Sequence, residues 1–482
     1  MTGSGEQLQR LKSHAHMKDS RVPWLANVPS HWDVRRGKWL FRTQKELNVG
    51  GAETNVLSLT LRGVVNNPPD NPEGLVPRDY ASYQLFRRGD LVFKLIDLEN
   101  RQTSRVGLVH EDGIMSPAYV RLTPRTRDAI RFFFQQYYDL YQRGVYNQLG
   151  AGVRSTLGAT DLLDLPVVVP PIAEQKAIVR VVDRANELIS RAIAAKQKLV
   201  RLLDERRRLL IHEALQRGVA PGAATRSSGI DWLGDVPTQW DIVPLGQLVE
   251  LVTGFPFKSD EFSQADGDVR LLRGINVTPG QIRWADVVRW PTADVTGYRD
   301  YELREGDVVL GMDRPIVDAG VRVARVGPSD VPSLLLQRVA RIRPRARLDA
   351  DFILLLLASK GFADYLAPIF TGVSVPHISP QQIRAFRVGL PSLTEQREIV
   401  ERLSRDTQPL DAARATATRQ AALLVEYRER LLSDIVTGKV DVREAAAALP
   451  DAGDPPPINP SAYVPTKSGE SDGSAEPIEA LA

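Results

Sequence analysis

Several short motifs in this sequence place side chains at spacings that catalytic sites use. Asn67-Pro68-Pro69 matches the start of the Asn-Pro-Pro-aromatic loop with which amino-methyltransferases hold a target base, but Asp70 stands where the aromatic ring is needed. The sequence has no glycine-rich loop of the kind that holds a nucleotide-like cofactor after a strand. The motif therefore does not predict a methyltransferase active site in this chain.

A second candidate is Glu174-Gln175-Lys176, preceded by Asp161 and Asp164, which partly matches the spaced acids and lysine of metal-dependent nucleases. A similar stretch later in the chain, Glu395-Gln396-Arg397, lacks the lysine. Both stretches lead into long charged segments without glycine, so we interpret them as helix starts. We predict no catalytic residue.

Metal ligands and nucleophiles are also scarce. The six histidines show no ligand spacing beyond His14 and His16, which lie in a start that we expect to be disordered. The chain has no cysteine, which excludes disulfides, thiolate zinc sites and a cysteine nucleophile and fits a reducing cytoplasm. We expect no metal and no cofactor in this chain.

Composition is that of a water-soluble globular protein, with 43% hydrophobic and 25% charged residues. We find no apolar run of about 18 residues that would span a membrane and no apolar signal segment at the start. The net charge of +3 says little about partners. Arginine clusters at 35–36, 87–88 and 206–208 are candidate phosphate contacts, although solvated surface is the ordinary alternative.

The chain contains an internal repeat. Residues 22–34 (VPWLANVPSHWDV) and 230–242 (IDWLGDVPTQWDI) align with an offset of 208, as at Trp24 and Trp232. Residues 165–179 and 386–400 align through their Glu-Gln pairs with an offset of 221. A Gly-Asp turn before an apolar strand recurs at 89–93 and 306–310. The larger second offset is typical of a shared scaffold with variable loops.

Each Glu-Gln pair is followed by a long segment with apolar residues at steps of three and four, which predicts an amphipathic helix. Gly218 and Gly438 are expected to end these helices, and Ser392 with Glu395 matches a capping box. Pro409 predicts a kink or break. We expect the apolar stripes to pair as an antiparallel coiled coil, the alternative being that each helix packs on its own domain. The predicted seam consists of Ile178, Val182, Ile189, Leu199, Leu203, Leu210, Ile399, Leu403, Leu410, Leu424 and Leu431.

These duplicated markers resemble those of type I restriction-modification specificity subunits. The W-L-x-x-V-P-x-x-W-D-like openings lie at 24–34 and 232–242, and the P-P-x-x-E-Q-like helix entrance lies at 170–175. The second entrance, at 390–396, has Pro-Ser in place of the double proline, and the last helix leaves through an L-L-x-x-I-V-T-G exit at 431–438. The resemblance covers roughly residues 17–444.

The resemblance implies an α+β fold class, with two target recognition domains separated by two long helices that form an antiparallel coiled coil. In that family each recognition domain reads half of a split double-stranded DNA target, and the helices set the spacer. Two methyltransferase subunits dock on the protein, and endonuclease-translocase subunits join them. S-adenosylmethionine then belongs to the methyltransferase, and ATP and Mg²⁺ to the endonuclease.

The resemblance also divides the chain. The predicted ranges are a disordered extension at 1–16, recognition domain 1 at 17–170, helix 1 at 171–218, a linker at 219–229, recognition domain 2 at 230–391, helix 2 at 392–438 and a disordered tail at 445–482.

Base reading needs arginine or lysine for guanine and asparagine or glutamine for adenine, on loops that reach the groove. We expect fewer than half of the loop candidates to touch bases, the others being surface residues or phosphate contacts. The candidates are Arg62, Asn66, Asn67, Asn100, Arg101, Gln102, Arg105, Arg154, Ser155, Phe257, Lys258, Arg273, Asn276, Arg314, Ser374 and His377.

Two alternatives remain open at this stage. The chain could serve a related type II system with a bipartite target, or be a scaffold whose duplicated domains bind protein instead of DNA. The neighbouring genes would distinguish a type I system from the type II alternative. Protection of one split DNA sequence from modification-sensitive cleavage would distinguish a DNA-specificity subunit from the scaffold alternative.

Overall fold

A computed structural model describes residues 11–61, 63–68, 70, 79–96, 98, 105–128, 130–149, 156–219, 222–370 and 376–449. The chain divides into two compact units. Unit 1 comprises Met1–Gln197 with Arg419–Ala482, and unit 2 comprises Lys198–Thr418. Each unit holds one copy of the sequence repeat and one half of each long helix.

The first copy, in unit 1, is built from short strands followed by helices. Its elements are β1 (Met17–Asp19), β2 (Asn27–Pro29), β3 (Asp33–Arg36), β4 (Phe41–Arg42), β5 (Leu57–Thr60), β6 (Gly63–Asn66), β7 (Gln84–Phe86), β8 (Leu91–Lys94), β9 (Arg105–Leu108), β10 (Gly113–Met115), β11 (Val120–Pro124), α1 (Ile130–Gln142), α2 (Val145–Leu149), α3 (Ala159–Asp164), β12 (Pro166–Val169) and the long helix α4 (Ile172–Arg217).

The second copy, in unit 2, follows the same plan with a longer middle section. Its elements are β13 (Thr225–Ser227), β14 (Asp235–Pro237), β15 (Asp241–Pro244), β16 (Val249–Thr253), β17 (Val269–Leu272), β18 (Val277–Thr278), β19 (Gln281–Ile282), β20 (Val288–Trp290), β21 (Val308–Gly311), β22 (Ile316–Val317), β23 (Gly320–Val321), β24 (Val323–Arg325), β25 (Ser333–Leu335), β26 (Val339–Pro344), α5 (Ala350–Ala358), α6 (Lys360–Leu366), α7 (Pro380–Ala385), β27 (Arg387–Leu390) and the long helix α8 (Leu393–Val436), with α9 (Arg443–Ala447) after it.

The two copies share one sheet topology. The four-stranded sheet has the order β4-β11-β8-β9 in copy one and β16-β26-β21-β24 in copy two. The flanking pairs match as well, since β3 pairs with β12 and β15 pairs with β27, both antiparallel. The predicted duplication and the predicted α+β class are therefore confirmed.

The repeated Gly-Asp turn is the most similar local feature of the two sheets. The glycines before β8 and β21 have φ values of +91° and +88°. Asp90 is buried and accepts a hydrogen bond from Nε of Arg121 at 2.6 Å, and Asp307 accepts one from Nε of Arg343 at 2.5 Å. A buried carboxylate must be paired, so this ion pair fixes the turn against the neighbouring strand in both copies.

The long helices pair within each unit. In unit 1 the first half of α4 (Ile178, Val182) shares a hydrophobic core with the last half of α8 (Leu431, Ile435). In unit 2 the last half of α4 shares a core with Ile399 and Leu403 from the start of α8. The first half of one helix meets the last half of the other each time, so the pairing is antiparallel, as predicted.

The helices also pack on the sheets of their own unit. The alternative that each helix packs on its own domain is therefore realised together with the pairing of the two helices. Most of the predicted seam residues are buried or half-buried, but Leu199 was wrongly assigned, since its side chain is 41% exposed. Leu199 lies near the middle of α4, where neither hydrophobic core reaches. The helix α8 runs from Leu393 to Val436 through Pro409, so the break that proline suggested is absent.

The ends of the long helices rest on the tryptophans that open the copies. Gly218 follows α4 with a φ of +69°, and Gly438 follows α8 with a φ of +78°. A Cβ on Gly438 would lie 2.6 Å from the Trp32 ring, and one on Gly218 would lie 3.0 Å from the Trp240 ring. Glycine is required at both positions for two reasons. It adopts the left-handed backbone conformation without strain, and it lets the backbone approach the tryptophan ring closely.

Three predicted boundaries need correction. Within the predicted extension 1–16, residues 11–16 are described and Lys12 forms a β-bridge with Asp441. The predicted linker contains β13, which pairs with β14 as β1 pairs with β2. Ala445 and Ala446, placed in the predicted tail, are buried in the core of unit 1. Residues 1–10 and 450–482 lie outside the described residues.

Among the described residues, no single helix has the length and apolar composition to cross a membrane. The bent pair Ala350–Ala358 and Lys360–Phe370 meets that test by length and composition. Its residues Phe352, Ile353 and Phe362 are buried in the core of unit 2.

We predict that Gly438→Ala lowers the free energy of unfolding by about 2–4 kcal/mol, because the methyl group adds overlap with Trp32 to the backbone strain. Gly222→Ala is the matched control, since Gly222 has a φ of +76° but open space around it, and about 1 kcal/mol of backbone strain is expected there. Urea unfolding followed by tryptophan fluorescence measures both. Equal losses in the two variants would contradict the contact with Trp32.

Candidate nucleic-acid interface

A basic surface of unit 2 forms where β21 ends. We call it the 313 surface and define it by Asp313, Arg314, Arg338 and His377. The backbone N–H of Arg314 donates to the carbonyl of Pro376 at 2.7 Å, which joins the segment after β21 to the segment before α7. The hairpin β22–β23 follows directly, and its exposed Ile316 and Val317 place apolar groups next to the charged ones.

The charged side chains of the 313 surface differ in how far they are paired with one another. Asp313 Oδ1 lies 2.7 Å from Nδ1 of His377 and 3.7 Å from Nη1 of Arg338. Arg338 stays 56% exposed in spite of this contact. The side chain of Arg314 is exposed and makes no hydrogen bond or ion pair with the part of the chain that the structure describes. With respect to the described residues, the Arg314 guanidinium is therefore available to a ligand, and this group is the one best suited to guanine or phosphate.

Both arginines of this surface have left-handed backbones, with φ values of +43° at Arg314 and +68° at Arg338. Such a conformation costs a non-glycine residue about 1 kcal/mol or more and is found disproportionately at binding sites. Sequence reasoning found Arg314 and missed Arg338, whose position follows from a contact between distant segments. No local signal in the sequence marks a positive φ at an arginine.

Copy one presents a different basic surface, around Trp39 and the start of β4. The Trp39 side chain is 69% exposed. Arg125 donates to the Leu40 carbonyl through its backbone N–H at 2.8 Å, and its Nε lies 3.3 Å from the carbonyl of Lys38. An exposed indole beside cationic side chains suits stacking and phosphate contact.

One carboxylate moderates this charge. Asp164 accepts a hydrogen bond from Lys38 at 3.1 Å and one from Arg36 at 3.2 Å. The hydrogen bond from Lys38 lowers the pKa of the Asp164 carboxyl below its ordinary value. Arg36 and Lys38 are therefore partly neutralised, which leaves Arg125 and Trp39 as the more available groups.

The structure corrects two predicted base-reading residues in copy two. Phe257 is buried in an aromatic cluster, with ring centroids 4.7 Å from Trp290 and 4.8 Å from Tyr298. Asn276 is buried too, where it accepts from the N–H of Arg273 at 3.0 Å and donates to the Arg283 carbonyl at 3.0 Å. Both side chains hold the fold together and are not presented to a ligand.

Two other candidates in copy two form ion pairs with neighbouring carboxylates. Arg273 is paired with Asp286, and its side chain is 26% exposed. Lys258 is 74% exposed and lies 3.3 Å from Glu261, which leaves it accessible as a phosphate contact. Of the candidates in copy two, the structure brings Arg314 and His377 together on the 313 surface, whereas Lys258 and Arg273 are paired with carboxylates outside it.

In copy one, Asn66 ends β6 and donates to Asn55 at 3.1 Å and to Glu111 at 2.5 Å. Asn67 donates to Ser58 at 3.0 Å. Arg105 begins β9, opposite Lys94. The remaining candidates lie outside the described residues, and these are Arg62, Asn100, Arg101, Gln102, Arg154, Ser155 and Ser374.

The Glu-Gln motif that partly matched a metal-dependent nuclease lies at the start of each long helix. Gln175 donates to the Pro170 carbonyl at 2.7 Å, and Gln396 donates to the Pro391 carbonyl at 2.9 Å. Ser392 accepts from the N–H of Glu395, as the predicted capping box requires. The Glu395 carboxylate instead accepts from Nε1 of Trp240 at 3.1 Å. The motif is a helix start that also anchors a tryptophan.

Comparison with known proteins identifies this architecture. Residues 237–415 match the family described as type I restriction modification DNA specificity domain. Residues 237–415 are thus similar to a type I specificity domain. The matched range covers most of copy two and the first half of α8, and the resemblance found in the sequence is confirmed.

Curated relatives of this specificity domain carry the same description. The chain is 26% identical over 281 residues to the type I restriction enzyme MjaVIII specificity subunit of Methanocaldococcus jannaschii, covering 58% of this chain and 63% of the relative. It is 34% identical over 170 residues to the EcoAI specificity subunit of Escherichia coli, covering 35% of this chain and 28% of the relative. The matched stretches thus span less than two thirds of these two relatives.

A solved structure extends the likeness to both copies. A chain from a study of complex assembly and conformational transition of the type I restriction-modification system superposes with a TM-score of 0.60 at 17% identity. The match covers 85% of this chain and 98% of that chain. At this identity the likeness concerns the fold, and it includes the copy that lies outside the matched family domain.

We predict that Arg314→Ala weakens DNA binding by about tenfold, because a bidentate arginine contact to a base is worth roughly 1–3 kcal/mol. Arg402→Ala is the control with the same change of charge in unit 2, since Arg402 lies on α8 near Asp406. Fluorescence anisotropy with the assembled complex and its target duplex measures both. A loss in Arg402→Ala as large as that in Arg314→Ala would indicate a general effect of charge.

Proposed function

We propose that this chain is the DNA-sequence-specificity subunit of a type I restriction-modification complex and reads a bipartite target with one recognition domain for each half. The observation that carries the proposal is the repeated sheet, with the same strand order in both copies and a different exposed basic surface on each. A common scaffold with divergent surfaces suits two readers of different half-sites.

Base discrimination in this proposal rests on different chemistry in the two copies. In unit 2, Arg314 and Arg338 offer guanidinium donors beside an apolar hairpin, a combination that suits guanine and the thymine methyl group. In unit 1, Trp39 and Arg125 offer stacking and phosphate contact. Two unlike half-sites follow from these two unlike surfaces.

We further propose that the chain contributes recognition and no catalysis. The motifs that imitated catalytic sites form a loop contact and two helix starts, in which Asn67, Gln175 and Gln396 make structural hydrogen bonds. S-adenosylmethionine would then bind the methyltransferase partner, and ATP with Mg²⁺ the endonuclease partner. The cytoplasm, where such complexes meet DNA, is the proposed location.

The long helices supply candidate docking surfaces for the methyltransferase subunits. Leu202 on α4 is 51% exposed and Leu423 on α8 is 52% exposed. These residues occupy equivalent positions of the repeat, 221 apart, so each unit carries one of them. Leu199 and Leu209 of α4 and Tyr427 of α8 are exposed as well, so each helix carries several apolar side chains in water, and such a patch is typical of a surface that a partner covers. One methyltransferase on each unit fits this repetition.

Methylation mapping tests the function directly. We expect coexpression with the matching methyltransferase, in a host without other adenine methylation, to modify adenines in one split sequence. Single-molecule sequencing of the host DNA reads the motif. Methylation of a continuous motif, or none that depends on this chain, would contradict the proposal, and pull-down of methyltransferase without DNA specificity would favour a scaffold.

The ruler role of the helices has its own test. Arg207 lies 3.1 Å from Asp411, and Arg414 lies 2.7 Å from Asp204, so residues 201–207 of α4 face residues 411–417 of α8. Removing both segments shortens the pair by about 10 Å, at 1.5 Å per residue. We expect the spacer to lose about three base pairs, at 3.4 Å per base pair, with both half-sites unchanged.

The control for this deletion is the removal of one segment alone, which breaks the register of the pair and should abolish methylation. Sequencing of the methylated motif reads both variants. An unchanged spacer in the double deletion would refute the ruler role and leave the recognition role intact.

A further inference from the structure

Two histidines and a glutamate from separate segments of unit 1 meet beside the Trp32 ring. His14 precedes β1, His31 lies in the turn between β2 and β3, and Glu174 is in the first turn of α4. One ligand atom from each of these three residues lies within 4.8 Å of the other two. His31 Nε2 is 2.8 Å from Glu174 Oε2, and His14 Nε2 is 3.9 Å from Glu174 Oε1.

The glutamate of this cluster is buried, and one of its carboxylate oxygens lacks a hydrogen bond. Glu174 is 6% exposed, and its Oε1 has no hydrogen-bond partner among the described residues. The ring of the buried Trp32 lies beside the cluster, with its centroid 5.9 Å from that of His14, and its Nε1 also lacks a partner among them. A buried carboxylate oxygen without a donor is costly, and a cation is one of the ligands that would satisfy it.

The second copy shows what this position looks like without the histidines. Glu395, the counterpart of Glu174, accepts a hydrogen bond from Nε1 of Trp240 at 3.1 Å. The positions 208 residues after His14 and His31 hold Gly222 and Gln239. The tryptophan–glutamate contact of copy two is thus replaced in copy one by a set of metal-binding groups at the equivalent place.

We propose that His14, His31 and Glu174 bind one divalent transition-metal ion of the zinc class, with water at the open position. Imidazole and carboxylate suit such ions, and two histidines with one glutamate is a known zinc ligand set. Metal–ligand distances of about 2.0–2.2 Å put tetrahedral ligand atoms about 3.3 Å apart. The three ligand atoms now lie within 4.8 Å of one another, so side-chain movements of about an ångström would bring them to that spacing.

A further carboxylate lies beside this cluster. Asp441 Oδ2 is 3.8 Å from Nδ1 of His14, beyond hydrogen-bond distance, and Asp441 accepts a hydrogen bond from Arg443. A movement of the His14 ring that brought Nδ1 to Asp441 would orient the other ring nitrogen as a ligand. A bound metal ion would link the segment before β1 and the turn before β3 to the start of α4. His31 is 39% exposed on its side chain and leaves an entry path.

The test uses the untagged full-length chain, freed of metal by a chelator and titrated with Co²⁺ as a spectroscopic probe and then with Zn²⁺. We expect one Co²⁺ per chain with visible absorption of a four-coordinate ion, displaced by Zn²⁺. Zn²⁺ should also raise the melting temperature, because an ion that binds the folded state stabilises it. His31→Gln, which installs the copy-two residue, should lower the affinity at least tenfold and remove the thermal shift.

Two controls separate this site from general metal binding. His212→Gln removes a histidine of α4 from unit 2, and Glu395→Gln removes the counterpart of Glu174; both should bind Co²⁺ as the parent does. Absence of saturable binding by the parent chain, or equal binding by His31→Gln, would overturn the proposal. These outcomes are read without DNA or partner subunits, so they are independent of the proposed function.

Discussion

Each tryptophan that opens a copy lies against the glycine that ends a long helix. Trp32 meets Gly438 after α8, and Trp240 meets Gly218 after α4. Because a methyl group would not fit under either ring, the helix must stop at that point and turn with a left-handed backbone. The contact fixes where α8 ends in unit 1 and where α4 ends in unit 2. The helix pairing, the cores beneath the sheets and the position of each entrance glutamate depend on it.

The sequence was informative wherever a signal is local or repeated. The duplication, the Gly-Asp turn before an apolar strand in each copy, the helix ends at Gly218 and Gly438 and the antiparallel pairing all follow from patterns in the chain. Local rules were less reliable where tertiary contacts decide. Pro409 is accommodated inside a helix whose ends are both anchored, and Leu199 lies on the apolar stripe yet between the two cores.

The candidate site was harder to predict than the fold. Polarity and loop position selected Asn276, but its amide holds a turn together. An aromatic ring in a loop selected Phe257, but its neighbours Trp290 and Tyr298 enclose it. Arg338 escaped notice because its left-handed backbone and its contact with Asp313 come from segments far apart in the chain. The cluster of His14, His31 and Glu174 escaped for the same reason, since ligand spacing in sequence is informative only when ligands share a segment.

The exposed middle of α4 has an evolutionary consequence. Leu199 marks a stretch that belongs to neither hydrophobic core, and the division between the units falls beside it, at Gln197 and Lys198. Unit 1 also includes residues 419–482, so only an exchange bounded by two crossovers, near 197 and near 418, would transfer the core of unit 2 intact and leave the core of unit 1 untouched. A lineage could therefore replace the whole surface of one unit in a single cassette exchange, without a series of destabilising intermediates.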